Sequence, residues 1–502
     1  MSATIDRWPV IVGVGESRQR SKDLRQALEP LELMAQALVA AQADAGCVVL
    51  PQVDKLCVIQ EFSWPYADAP TLLAERLGMP AKARVYGPVG GETPVRFLHE
   101  CALAIARGEA EVAAVVGAEA QYSVNAARAQ GVQLPWSARD DETPLVRGAV
   151  HQHPLARQLG VATPATAYPL FEQATQAKWG LTPAQAQGES AQLWASLSAA
   201  AAANPMAWDQ RRHSAEEITH IDANNRLIAW PYPLRMVANP AVNLGAGFLL
   251  TSRAQALAWG IAPERLIHVM MGAHASDPAN FMARDDLARA HGQEAVLDAV
   301  RAFQGPKAAW SHVELYSCFP VVPKLAKRRL QLPPDQAISC TGGLSFFGAP
   351  LNNYMSHAVA AMVRQMRQAP GGPGLLFGQG GYMTKHHAVV LGHAPGDSQR
   401  LDGGSVQSQA DAQRAPPPEL AMDHVGPARV ESHTVLFARD GRPIHGVVVL
   451  RTPDARRLIA RVDADDRRSM TRLMATDANA VGADGQVTTG ADGVPCWQLT
   501  TA

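Results

Sequence analysis

The sequence has no surplus of charge of either sign. Its 45 lysines and arginines stand against 46 aspartates and glutamates, a formal net charge of -1, so no overall field draws it to nucleic acid or to an anionic membrane. Cysteine is scarce: six in 502 residues, at 47, 57, 101, 318, 340 and 496, with no CxxC pair. That spacing argues against a zinc ribbon and against a disulfide scaffold, and it fits a reducing compartment. No run approaches the ~18 uninterrupted apolar residues of a membrane span. The opening "MSATIDRWPVIVGVGES" has no basic stretch ahead of an apolar one, and the expectation is a soluble, unexported, cytoplasmic protein. Nucleotide fingerprints are missing too. "GVGESR" (13 to 18) lacks the third glycine of GxGxxG, and "GQGGYMTK" is not a P-loop. "HQH" (151 to 153) has a spacing suited to two metal ligands but no clear third, so no metal is expected.

What is present is enough apolar residue, 47%, for about two to four domains. A strand at "VIVGVG", a helix at "LELMAQALVAAQADAG", a strand in "VDKLCVIQ", a helix from Pro94 to about Arg107 and a buried strand "VAAVVGAEA" make a β-α-β-α-β run, which implies a parallel sheet covered on both faces. The order returns in "RLIHVMMGAHAS", "EAVLDAVRAF", "SHVELYSCF", a helix from about Asn353 to Met366 and "GLLFGQGGYM". We read it as an internal repeat whose glycine turns share one sheet edge. In the first turn, "GPVGGETPVRF" (87 to 97), Thr93 is the expected N-cap and Pro94 the first helical residue. Such a turn suits an anionic or carbonyl-like group, although the stretch offers no obvious nucleophile.

Between the repeats, "GESAQLWASLSAAAAANP" predicts a helix stopped at Asn204-Pro205. The run "KLAKRRL" (324 to 330) reads as a solvated helix face. Residues 396 to 418 are polar and end in three prolines, a linker composition. Beyond them strands alternate around Asp440-Gly441 at a hairpin tip, predicting a small β-barrel. Its few aromatics, Phe437 and Trp497, and the arginines balanced by aspartates in "RVDADDRR" argue against a nucleic-acid groove.

The ordered motifs resemble the thiolase superfamily over about residues 6 to 395. "GGETP" with "IARGEAEVAAVVGAEAQYS" resembles the nucleophile segment, and "NPAVNLGAGFLLTS" the strand closing the first half. "YSCF" stands where the family has NEAF or HDCF, "GGLSFFGAP" where it has GG-x4-GHP, and "GQGGYMTKHH" where it has C-x-GGG-x-G. Similarity extends to thiolase-like proteins, often labelled acetyl-CoA acetyltransferase, that carry an extra C-terminal domain. The implied fold is α/β, two βαβαβαββ halves in a five-layered α/β/α/β/α core plus a small all-β, OB-like domain. The implied boundaries are 1-255 with an inserted region at about 123-235, then 256-395, a linker at 396-418, and the barrel at 419-502.

The resemblance implies CoA or acyl-CoA as ligand, with no permanently bound cofactor. It also makes a homodimer or a protein partner an open expectation. The family's nucleophilic cysteine falls at Gly90 or Gly91, its GHP histidine at Ala349, its second cysteine at Phe377 or Gly378, and its NEAF or HDCF polar residue at Tyr316. Loss of an essential nucleophile can cost on the order of 10⁶ in rate. An acyltransferase-type enzyme on CoA thioesters, working by an altered route, is therefore expected; the alternatives are a retro-aldol C-C lyase using tyrosine and a non-catalytic acyl-CoA binding protein. The implied oxyanion and acyl-CoA site comprises Gly90, Gly91, Gly380 and Gly381, with Asn239 opening the "NPAVN" segment. Tyr316, Tyr354 and His386 are the catalytic candidates, against an alternative reading of each tyrosine as hydrogen-bonded core. Lys385, beside His386, could bind a phosphate. Cys101 and Cys318 read as packing residues.

Overall fold

Continuous apolar runs become the centre of the sheet. Val112–Ala120 and Asn243–Ser252 are buried along their whole lengths and pair antiparallel, as strands covered on both faces must be. The computed structural model describes residues 5–142, 148–305, 309–402 and 404–500. Among these, nine strands form one mixed sheet in the order Ala83–Tyr86, Lys55–Val58, Val112–Ala120, Asn243–Ser252, Pro9–Arg18, Ile267–Ser276, Lys385–Gly392, Gly374–Gly380, His312–Leu315. The repeat is visible in the pairing. Lys55–Val58 runs parallel to Val112–Ala120, and His312–Leu315 runs parallel to Gly374–Gly380; each half then closes with an antiparallel strand. The halves join where Val10 and Ile11 pair with His268 and Ile267.

Helices Thr93–Arg107 and Tyr354–Gln368 pack on each other and on strands of both halves, which makes them the central layer. Pro30–Ala45 covers the outer face of the first half and His291–Gln304 that of the second, giving the α/β/α/β/α order. A second sheet closes on itself through Gly426–Phe437, Pro443–Arg451, Arg457–Asp463, Pro495–Leu499 and Asp484–Thr489, an OB-like barrel. Its hairpin tip is the predicted one: Gly441 has φ +84° and donates to the Ala438 carbonyl at 3.0 Å. Leu227–Ala229 and Tyr232–Pro233, which lie in the chain between Val112–Ala120 and Asn243–Ser252, extend this sheet at Gly426–Phe437.

Two polar stretches behave differently from a surface reading. Lys324, in helix Val321–Leu330, is buried, paired with Glu172 and donating to Ser190 Oγ at 2.9 Å, because the helix turns that position inward toward Pro164–Lys178. Within residues 396 to 418, helices Ser398–Asp402 and Gln407–Gln413 bury Leu401, Val406 and Ala410, and the Gly404 carbonyl accepts from His274 N at 2.7 Å. This segment packs along the sheet and is not a free tether. The alanine-rich helix spans Pro183–Ala203 and is capped at Asn204.

Candidate active site

The first glycine turn feeds helix Thr93–Arg107, but the cap differs from expectation. Thr93 is the first helical residue and its hydroxyl donates to the Pro88 carbonyl at 2.8 Å; Glu92 holds the cap position without making a side-chain cap bond. The Glu92 side chain instead folds back between the two glycine turns. A Cβ placed on Gly90 or on Gly380 would overlap its carboxyl, and the point above Gly380 lies 3.0 Å from Gly91 N. The absence of side chains at 90 and 380 thus makes room for one buried carboxyl, with its Oε2 unpartnered.

That carboxyl is held above the usual carboxylate range because burial strips its solvent; the Lys385 ammonium opposes the shift. Lys385 Nζ lies 4.0 Å from Glu92 Oε1, donates to the Val89 carbonyl at 2.8 Å and is 44% exposed, so the buried acid is one side chain away from solvent. Across the turn stands Tyr316. Its hydroxyl occupies the place a Gly91 side chain would take, and it makes no hydrogen bond among the described residues. Burial raises the phenol well above its ordinary value, so Tyr316 is a neutral donor and not the base a lowered value would have made it. The Gly91 N–H likewise has no partner among the described residues.

The second turn is braced from behind. Tyr168 donates to Gln379 Oε1 at 2.9 Å and to the Gly381 carbonyl at 3.2 Å, while its oxygen accepts from Met383 N at 3.2 Å. Gly381 has φ +64°, which suits a glycine there. The first turn is tied to the other half through Asn352, whose Oδ1 accepts from Gly90 N at 3.0 Å and whose Nδ2 donates to the Gln60 carbonyl at 2.7 Å.

The predicted residues therefore divide. Gly90, Gly91, Gly380 and Tyr316 meet around Glu92, with Gly381 in the bracing turn. Tyr354 does not face this space: it is fully buried and bonded to Thr341 at 2.5 Å and to Glu314 at 2.7 Å, supporting the Tyr316 ring edge-on at 5.9 Å. His386 points to the opposite sheet face, where it pairs with Asp277 at 3.1 Å beside Gly292, because neighbours on a strand alternate and Lys385 takes the site side. Asn239 braces a loop, accepting from Ala241 N at 3.1 Å on its side chain and from Ala349 N at 2.8 Å on its carbonyl. Burial pushes the Cys318 thiol up to about 12, and Cys101 lies against Cys57 at 3.7 Å. Glu92 and Asn352 were missed. The signal for Glu92 was available, since it is the one ionisable side chain in "GPVGGETPV".

Among the described residues no cluster of three or more His, Cys, Asp or Glu side chains is arranged to hold a metal; His153 accepts from Leu155 N at a helix start. No described helix is long and apolar enough to cross a membrane. Surface hollows of about 400 Å³ beside Lys178 and about 520 Å³ beside Phe303 are not lined by the glycine turns.

Residues 405–493 match the additional C-terminal domain of thiolase-like protein type 1. No curated protein matches the chain by sequence. A monomeric SCP2-thiolase-like protein type 1 from Mycobacterium smegmatis has 26% identity over 99% of both chains, with a TM-score of 0.82. The Ltp2-ChsH2(DUF35) aldolase (18% identity, TM-score 0.60) is matched by 79% of this chain over 100% of its own. Human mitochondrial 3-ketoacyl-CoA thiolase in complex with CoA (14% identity, TM-score 0.55) is matched by 78% of this chain over 99% of its own. The doubled half, the central helices and the barrel are those of a thiolase-like fold with an additional C-terminal domain similar to that of thiolase-like protein type 1.

Proposed function

We propose that this protein acts on acyl-CoA thioesters at the paired glycine turns, moving a proton with Glu92 and cleaving a C-C bond of a 3-hydroxyacyl-CoA in the retro-aldol sense. The observation that carries this reading is the buried Glu92 carboxyl, with an unpartnered oxygen, set between the turns beside an unpartnered Tyr316 hydroxyl. Rotation of Glu92 exposes the Gly91 N–H to a thioester oxygen, where one backbone donor contributes roughly 3 to 4 kcal/mol to a developing oxyanion. Glu92, ionised, takes the proton of the 3-hydroxyl group. The bond between C2 and C3 breaks, C3 leaves as a carbonyl, and its electron pair moves into the thioester enolate. Glu92 returns the proton to C2, releasing a shortened acyl-CoA, so the step needs no further reactant. Tyr316, neutral, donates a hydrogen bond to whichever oxygen carries charge.

The CoA complex of the human thiolase supports the ligand class of this reading, and the aldolase relative the type of C-C bond it cleaves. Acyl transfer by a covalent route is the weaker reading because Cys318, whose thiol lies 3.6 Å from Gln379 Oε1, is held protonated by burial. Purified protein incubated with 3-hydroxyacyl- and 3-ketoacyl-CoA, with and without free CoA, is expected to yield shortened acyl-CoA plus a carbonyl product from the hydroxy form without added CoA, as read by mass spectrometry. Product formation that requires free CoA would replace cleavage by thiolysis, and intact but bound thioesters would make this a binding protein. Tyr316→Phe is expected to lower turnover by about 10- to 100-fold, with CoA affinity retained; unchanged turnover would remove Tyr316 from the site. Every group named here comes from one chain and the Mycobacterium smegmatis relative is described as monomeric, so light scattering is expected to give a monomer mass.

A further inference from the structure

The barrel touches the second glycine turn through two arginines in series. Arg457, the first residue of strand Arg457–Asp463, is fully buried and held by the Glu431 carboxylate. Its other donors enter the loop after Phe281: Nη1 bonds the Met282 carbonyl at 2.9 Å and the Arg284 carbonyl. Arg451, from the neighbouring strand, donates to the Asp285 carbonyl at 3.2 Å. Arg284, whose backbone is gripped in this way, is itself buried at 2% exposure, lies over the Phe171 ring at 4.7 Å, and donates through Nη2 to the Tyr382 carbonyl at 3.0 Å and to the Met383 carbonyl. Met383 has φ +55°, a sparsely populated conformation for a side chain of its size, and such a residue persists where its surroundings over-determine it. The barrel also seizes helix Pro164–Lys178, through Ser432 Oγ on the Leu170 carbonyl. That helix carries Tyr168, the second brace of the same turn.

We propose that the C-terminal barrel sets the geometry of the Gly380–Thr384 turn, with Arg457 and Arg284 as positioning residues acting in series. A guanidinium offers donors in a rigid fork, and bonds to carbonyls on one loop fix that loop as a unit. The strained Met383 then holds Gly380 against Glu92. The barrel is thereby a fixed part of the site, although none of its residues touches the reacting groups. The effect on turnover rests on the function proposed above; the geometric statement does not.

The test is amide hydrogen exchange of the intact chain, read at Met383 and Thr384, whose N–H groups bond Tyr168 Oη at 3.2 Å and the Gly380 carbonyl at 3.1 Å. Arg457→Met is expected to speed exchange at these two amides by about tenfold or more, with strand Asn243–Ser252 unchanged, and Arg457→Lys to fall between it and the wild type. The infrared band of the Glu92 carboxyl, assigned by difference from Glu92→Gln, is expected to report a lower pKa as the loosened turn admits water. Should Arg457→Met fail to fold, Glu431→Gln weakens the same anchor and is read by the same amides. Loosened barrel amides with Met383 and Thr384 unmoved would overturn the proposal. Wild type without thioester turnover would overturn the proposed function and leave the exchange result standing.

Discussion

Replacing Glu92 by glutamine is expected to lower turnover of a cleaved CoA thioester by about 10²- to 10⁴-fold, the range for removal of a positioned acid-base group. The amide keeps the shape and fills the same space between Gly90 and Gly380, so the loss reports proton transfer and not packing. The same variant is expected to be more stable than wild type at neutral pH. Burial raises the Glu92 pKa; in acid the carboxyl is protonated both folded and unfolded, and burial then carries no charge penalty. As pH climbs through the ordinary carboxyl value the unfolded chain releases its proton first, the folded chain binds more protons, and stability falls until the raised folded value is passed. Glutamine cannot titrate. Its stabilising effect should be absent in acid, grow through that window and stay level above it, as followed by denaturant unfolding at a series of pH values. An equally active variant would remove Glu92 from the proton transfer, and one destabilised at neutral pH would show that the carboxyl is ionised and bonded in a way this geometry lacks.

The sequence spoke clearly where one local signal decided the outcome. Val112–Ala120 is apolar but for Glu119 and became a central strand; the alanine run formed Pro183–Ala203 and stopped where Asn204-Pro205 said it would; Asp440-Gly441 made its turn. It spoke poorly where tertiary partners decide. Helix Ala69–Leu77 and edge strand Ala83–Tyr86 were not anticipated, since the strand begins with two exposed residues and shows no run or alternation to mark it. Lys324 resembles its basic neighbours until Glu172 arrives from another helix.

At the site, the two glycine turns were legible because glycine is a backbone signal, and Tyr316 because it stands in a polar motif position. The choice of His386 over Lys385 failed on a point of strand geometry. Gly380 pairs with Lys385, and Gln379 with His386, so the residue sharing the glycine's face is the lysine. Glu92 reads in the sequence as an ordinary polar turn residue, and only tertiary contacts bury it. Its place depends on bare glycines at 90 and 380, beside a third at 91, in two distant segments, and no local pattern brings residues 90 to 92 and 380 together.

Those bare positions give the second large expectation. Gly91→Ala should cut turnover by about 10²- to 10³-fold, the loss typical of one oxyanion donor. The added methyl group meets both Tyr316 Oη and, at 2.6 Å, the Gln379 carbonyl oxygen. The tyrosine can swing away, but the carbonyl belongs to strand Gly374–Gly380, held at this position by its pairing with His386. Relief must therefore come from separating the two turns. Overpacking of this kind costs typically about 1 to 3 kcal/mol, and separation moves the Gly91 N–H away from the Gly380 side of the cavity. Gly91→Ala combined with Tyr316→Phe discriminates between the two contacts. If the phenol were the obstacle, removing its hydroxyl would restore stability and part of the turnover. If the Gln379 carbonyl is the obstacle, as its rigidity requires, the double variant remains as destabilised as Gly91→Ala and no more active. Restoration in the double variant would show that the turns yield, and that the oxyanion position lies elsewhere in the fold.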